Sequence, residues 1–112
     1  MEAIDWDALK ENCAGDDDLV AEIVDLFRRE CGAMLDDVRQ AGGSKDALAV
    51  KKSAHRLRGA LVSLAANGAA EIAGTLEKMG AENNMTAVDS MVESLNAEMS
   101  RLLAALEVKR AA

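Results

Sequence analysis

The chain contains one histidine, His55, and its neighbours at helical spacing suit phosphoryl chemistry. Lys51 and Lys52 stand one turn before it, and Arg58 and Gly59 one turn after. Leu48 and Val62 lie seven residues to either side, on the same helical stripe. A neutral imidazole is a nucleophile near pH 7, and neighbouring cations disfavour the imidazolium, which keeps the ring neutral. The same cations, Lys51, Lys52 and Arg58, would then stabilise the charge of a phosphoryl group carried on the ring. Gly59 removes a side chain that would obstruct an incoming partner. A glycine inside a helix costs about 1 kcal/mol relative to alanine, so its presence asks for such a reason. Leu48 and Val62 would offer that partner apolar docking area. An exposed histidine among lysines is by itself an ordinary surface arrangement. The three cations and the glycine at these spacings weigh against that ordinary reading without deciding it.

These relations hold only if a helix carries the residues. The pattern predicts one from about Lys45 to Ala65. On its wheel Val50, Ala54, Leu57, Leu61 and Leu64 cluster on one side, and His55 lies roughly 140° from the centre of that cluster, facing solvent. Ile4 to Cys13 reads as a short helix capped by Asp5, with Ile4 and Leu9 as a hydrophobic staple and Gly15 as its stop. Asp16-Asp17-Asp18 opens a second helix. It is a solvated helix start rather than a metal site, because three adjacent residues point in different directions. Val20, Val24, Phe27, Cys31, Met34 and Val38 form that helix's buried stripe, widened by Leu19, Ile23 and Leu26. Ala41-Gly42-Gly43-Ser44 is the expected break, with Ser44 as an N-cap. Asn67-Gly68 is expected to cap a fourth helix with Ala69, Ile72, Ala73, Leu76 and Met79 inward, and Gly80 to Asn84 to form a loop. Thr86 and Asp89 resemble a capping box for a last helix reaching about Lys109. Four long amphipathic helices with short connections predict an all-α fold. The expected form is an antiparallel up-down-up-down four-helix bundle with a short extra N-terminal helix, a single domain over residues 1–112.

Composition narrows the function further. At 112 residues, 50% apolar and 29% charged, the chain has room for one core. Trp6 and Phe27 are its only aromatic residues, and it has no proline. A net charge of −7 argues against nucleic-acid binding. No apolar run approaches the roughly 18–20 residues of a membrane span, and Met1 to Asp5 has neither the basic segment nor the apolar stretch of a signal peptide. Cys13 and Cys31 show no CxxC spacing, which predicts reduced thiols in the cytoplasm. One histidine and two cysteines are too few for a zinc site. There is no Gly-rich phosphate loop, no GxSxG elbow and no nucleophile–base–orienter set for small-molecule catalysis. One core accounts for all the apolar stripes, which implies a monomer.

Ala54-His55-Arg56-Leu57-Arg58-Gly59 resembles the Ala-His-x-Leu-Lys-Gly signature of histidine-containing phosphotransfer (HPt) domains. Leu76-Glu77 falls where that family commonly has Leu-Glu, and Leu26-Phe27 and Ala47-Leu48 also fit. The resemblance covers nearly the whole chain in helix order and loop length. It departs at Arg58, where lysine is usual, at Ala60, where a small hydroxyl residue is frequent, and at Ala65, where glycine often ends the motif helix.

The resemblance implies a phosphorelay intermediate. His55 would accept a phosphoryl group from a receiver-domain aspartyl phosphate, through the outer ring nitrogen Nε2, and pass it to another receiver. The implied partners are response-regulator receiver domains and a hybrid sensor histidine kinase. The chain itself would need no cofactor and no metal, since the magnesium ion would sit on the receiver. No ATP-dependent autophosphorylation is expected. Two alternatives stay open: a docking module of the same fold that carries no phosphate, and a structural helical bundle.

Overall fold

The computed structural model describes the backbone of residues 2–111 and the side chains of residues 2–107. It is all helical, with α1 Trp6–Asn12, α2 Asp17–Gly43, α3 Ala47–Ser63, α4 Asn67–Ala81 and α5 Val88–Ala111. Helices α2 to α5 form the antiparallel bundle, each packed against its chain neighbour, and α2 closes the ring against α5. Their stripes meet in one core that includes Phe27, Val38, Leu57, Leu61, Leu76, Leu95 and Leu102. No polar or charged residue is fully buried among the described residues, and no helix there is long and apolar enough to cross a membrane.

Aspartates start three of the helices. The side chain of Asp5 accepts from Ala8 N, that of Asp16 from Asp18 N and Leu19 N, and that of Asp46 from Ala49 N. Each satisfies N–H groups that the first turn leaves unpaired. Ile4 and Leu9 are both buried, and the N–H of Asp5 donates to the Ala65 carbonyl. This ties α1 to the end of α3.

Several local expectations are corrected. Ser44 is the C-cap of α2 and not an N-cap; Asp46 has that role for α3. Asn67 is the first residue of α4, whose N-cap position, Ala66, makes no side-chain hydrogen bond. Asp89 reaches Lys45 Nζ at 2.6 Å instead of completing a box with Thr86. Leu19 and Leu26 do not widen the buried stripe of α2; both are exposed, Leu26 at 49%. They sit on the flank of α2 beyond the reach of the core.

The glycines depart most from expectation. Gly42 and Gly80, read as helix stops, both lie inside helices and are buried. Helix α1 ends on two left-handed residues, Ala14 and the expected Gly15, whereas the stops of α2 to α4 are left-handed residues that carry side chains: Lys45, Ala65 and Asn83. After α3, Ala65 N donates to Val62 O and Ala66 N to Leu61 O. The same paired pattern closes α1, α2 and α4. These bonds satisfy the last carbonyls well enough to hold a non-glycine residue in a conformation that costs roughly 1–2 kcal/mol.

Candidate functional site

The core face of α3 is Val50, Ala54, Leu57 and Leu61, all fully buried. That orientation turns His55 outward, and its side chain is 69% exposed. Leu48 and Val62 flank it along the helix, 57% and 54% exposed. A methyl group added at Gly59 would meet no atom within 4 Å. The surface around the imidazole is therefore open, with apolar contact area above and below.

One side of the ring is held. Nδ1 of His55 lies 2.9 Å from Glu77 Oε2 on α4, and Glu77 Oε1 accepts from Arg58 Nη1 at 2.7 Å. One carboxylate thus bridges the histidine and the arginine that follows it by a turn on α3. Glu77 is in place because α4 packs antiparallel to α3, with Ala73 and Gly80 buried on either side of it along the same face. Its side chain is only 20% exposed.

Burial alone would raise the pKa of the Glu77 carboxyl. The hydrogen bonds and positive charges of His55 and Arg58 outweigh that, and the net shift is downward. Glu77 is therefore ionised at neutral pH and can only accept hydrogen bonds. Nδ1 must then carry a hydrogen, and in the neutral ring the lone pair falls on Nε2. No described residue engages that second nitrogen. The arrangement yields an oriented imidazole with its nucleophilic atom toward solvent.

The other cations lie on either side of the ring. Lys51 is on the α4 side, where its backbone touches the Gly80 position. Lys52 and Arg56 line the groove between α2 and α3, with Asp37, Gln40 and Ser53. Lys51, Lys52 and Arg56 make no ion pair among the described residues. Helix α3 contains no acidic residue in an acidic chain.

The structure thus brings together His55, Arg58 and Glu77, keeps Leu48, Gly59 and Val62 on the same open face, and places Lys52 on the α2 side. Glu77 is the site residue that sequence reasoning did not assign. Its signal was weak: a glutamate at the edge of a core stripe, in the Leu76-Glu77 pair. Among the described residues no group of three His, Cys, Asp or Glu side chains is arranged to hold a metal.

No curated protein and no solved structure matched the chain significantly. The model of the Hpt domain family matches residues 22–105, a span that takes in α3 and α4 whole and most of α2 and α5. That span contains His55, Glu77 and Arg58, the groups that the fold assembles into one site. The chain belongs to the Hpt domain family, the histidine phosphotransfer modules of phosphorelays.

Proposed function

We propose that His55 is the phosphoacceptor, taking its phosphoryl group from a receiver-domain aspartyl phosphate and handing it to another receiver. The observation that carries this reading is the state of the imidazole: Nδ1 is held by Glu77 while Nε2 is unengaged and faces solvent. In the forward step the Nε2 lone pair attacks phosphorus as the bond between phosphorus and the aspartyl oxygen breaks. The aspartate leaves as a free carboxylate. The product ring keeps its Nδ1 hydrogen and gains positive charge, which the Glu77 carboxylate balances. The reverse step returns the phosphoryl group to an aspartate and the ring to its neutral form.

The work of this chain is positioning and charge. Glu77 fixes the ring's tautomer and direction. Arg58 orients Glu77 and, with Lys51 and Lys52, offsets the phosphoryl charge. Leu48, Gly59 and Val62 form the surface a receiver meets. The magnesium ion of the reaction belongs to the receiver, and this chain acts as a monomer in the cytoplasm without a cofactor of its own. A hybrid sensor histidine kinase would supply the receiver upstream.

The test is incubation with phosphorylated receiver domains, followed by assay for an acid-labile, base-stable phosphate. The expected result is labelling of the wild type and none of His55→Gln. Label retained by His55→Gln overturns the site. Receiver binding without labelling favours a docking module that carries no phosphate.

A further inference from the structure

Two glycines sit inside α4 on the face that meets α3, three residues before and three after Glu77. They differ sharply in what surrounds them. A methyl group at Gly74 would touch only Arg58 Cδ, at an ordinary 3.5 Å. A methyl group at Gly80 would lie 2.6 Å from Ala47 O, 2.6 Å from Lys51 N and 3.0 Å from Lys51 Cα. These are backbone atoms of the first turns of α3, and they cannot rotate away as the end of a side chain can. Any residue but glycine at position 80 forces the two helices apart.

The contact lies next to the site. Lys51 is one turn before His55 on α3, and Gly80 is one turn after Glu77 on α4. The antiparallel register that seats Gly80 on Lys51 therefore also sets Glu77 opposite His55. The hydrogen bond to Nδ1 spans 2.9 Å, and its geometry fails within a few tenths of an ångström beyond about 3.2 Å. A separation of the helices by even half an ångström at Gly80 would act directly on it.

We propose that Gly80 is a positioning residue, whose missing side chain sets the α3–α4 spacing at which Glu77 holds the imidazole of His55. The proposal deepens the reading of His55 as phosphoacceptor and rests on it for its meaning. Its readout is the ring's proton, so it is decided without any transfer reaction.

His55 is the only histidine, so its imidazole nitrogens give unambiguous long-range proton–nitrogen NMR signals in the whole chain. In the wild type the neutral ring is expected to be held as the Nδ1–H tautomer. Gly80→Ala should stay helical by circular dichroism, shift the ring toward Nε2–H, and raise the Glu77 titration toward that of an ordinary glutamate. Gly74→Ala should leave both signals unchanged. So should Gly42→Ala, a buried glycine on the opposite side of the bundle whose added methyl would meet the Val92 side chain at 3.1 Å.

Wild-type ring signals in folded Gly80→Ala overturn the proposal, and so does an equal change in Gly42→Ala, which would mark a general loss of packing. Should Gly80→Ala fail to fold, Glu77→Asp decides the matter by shortening the reach without touching the helix contact. Loss of the Nδ1–H preference in Glu77→Asp supports a fixed spacing, and its retention overturns it. A failure of phosphotransfer with these NMR results intact would count against the functional reading and leave the role of Gly80 standing.

Discussion

The two sides of the bundle join their helices in different ways. Helix α4 lies on α3 backbone to backbone at Gly80, and the polar groups at that seam are Arg58, Glu77 and His55, all within hydrogen-bonding distance. Helices α2 and α5 are kept apart by side chains such as Val92 against Gly42. Their rim carries long-armed ties: Arg28 with Glu107, and Arg39 Nε with Asn96 Oδ1 at 2.9 Å. A backbone seam has no rotamers with which to absorb a change, whereas a side-chain seam does. The seam that holds the imidazole is the one without slack.

The sharpest way to break this comparison is to add the same methyl group to each seam. Gly80→Ala should lose about 2 kcal/mol of stability, because overpacking against backbone exceeds the roughly 1 kcal/mol gained by replacing a helical glycine. Gly42→Ala should stay within about 1 kcal/mol of the wild type, since only Val92 has to shift. Denaturant unfolding of both variants checks this, and equal losses would erase the distinction. Removing one carboxylate from each side sharpens it. Glu77→Ala should slow phosphoryl transfer on the order of tenfold, the equivalent of one charge-assisted hydrogen bond of about 1.5 kcal/mol. Glu107→Ala should leave the transfer rate unchanged, as single-turnover assays with a phosphorylated receiver would show.

The smallest effect is the pH response of the Glu77 cluster. Its carboxyl is held below the ordinary glutamate value of about 4.5. A depressed folded-state value contributes stability that is present above the unfolded value and lost as pH falls through the folded one. The stability difference between the wild type and Glu77→Gln should therefore be full above about pH 4.5 and fade on acidification. Its size should be about 1 kcal/mol or less, because His55 and Arg58 are largely exposed. A difference that grows as the pH falls below about 4.5, where the Glu77 carboxyl itself takes up a proton, would contradict the assigned pairing.

Much of this site was legible from period and residue type. A wheel at 100° per residue was enough to turn His55 away from Val50, Ala54, Leu57 and Leu61, and to put Leu48 and Val62 on its stripe. Glu77 was not legible in the same way, because its role depends on the register between two helices, and no periodicity within one helix encodes that. The glycines misled for a related reason. Gly42 and Gly80 look like stops because glycine weakens a helix, yet both are places where another element comes close. Gly15 does end α1 beside Ala14, but the stops of α2 to α4 fell on Lys45, Ala65 and Asn83, where paired backbone hydrogen bonds, unseen in a sequence, outweigh the strain. Leu26 is apolar yet exposed because it lies at the margin of its stripe, where residue type alone does not decide burial.

Under the proposed function, the absence of any acidic residue from α3 would shape how a partner arrives as well as how phosphate is held. With a net charge of −7 the molecule as a whole repels an anionic body that comes within about a Debye length, roughly 8 Å in physiological salt. Helix α3 itself carries an excess of positive charge, and Lys51, Lys52 and Arg56 make no ion pair among the described residues. An approaching anionic partner would feel a torque, discouraged from most headings and drawn in along one. Encounters would be sorted by orientation before any apolar surface touches, so that few of them end on a face from which His55 cannot be reached.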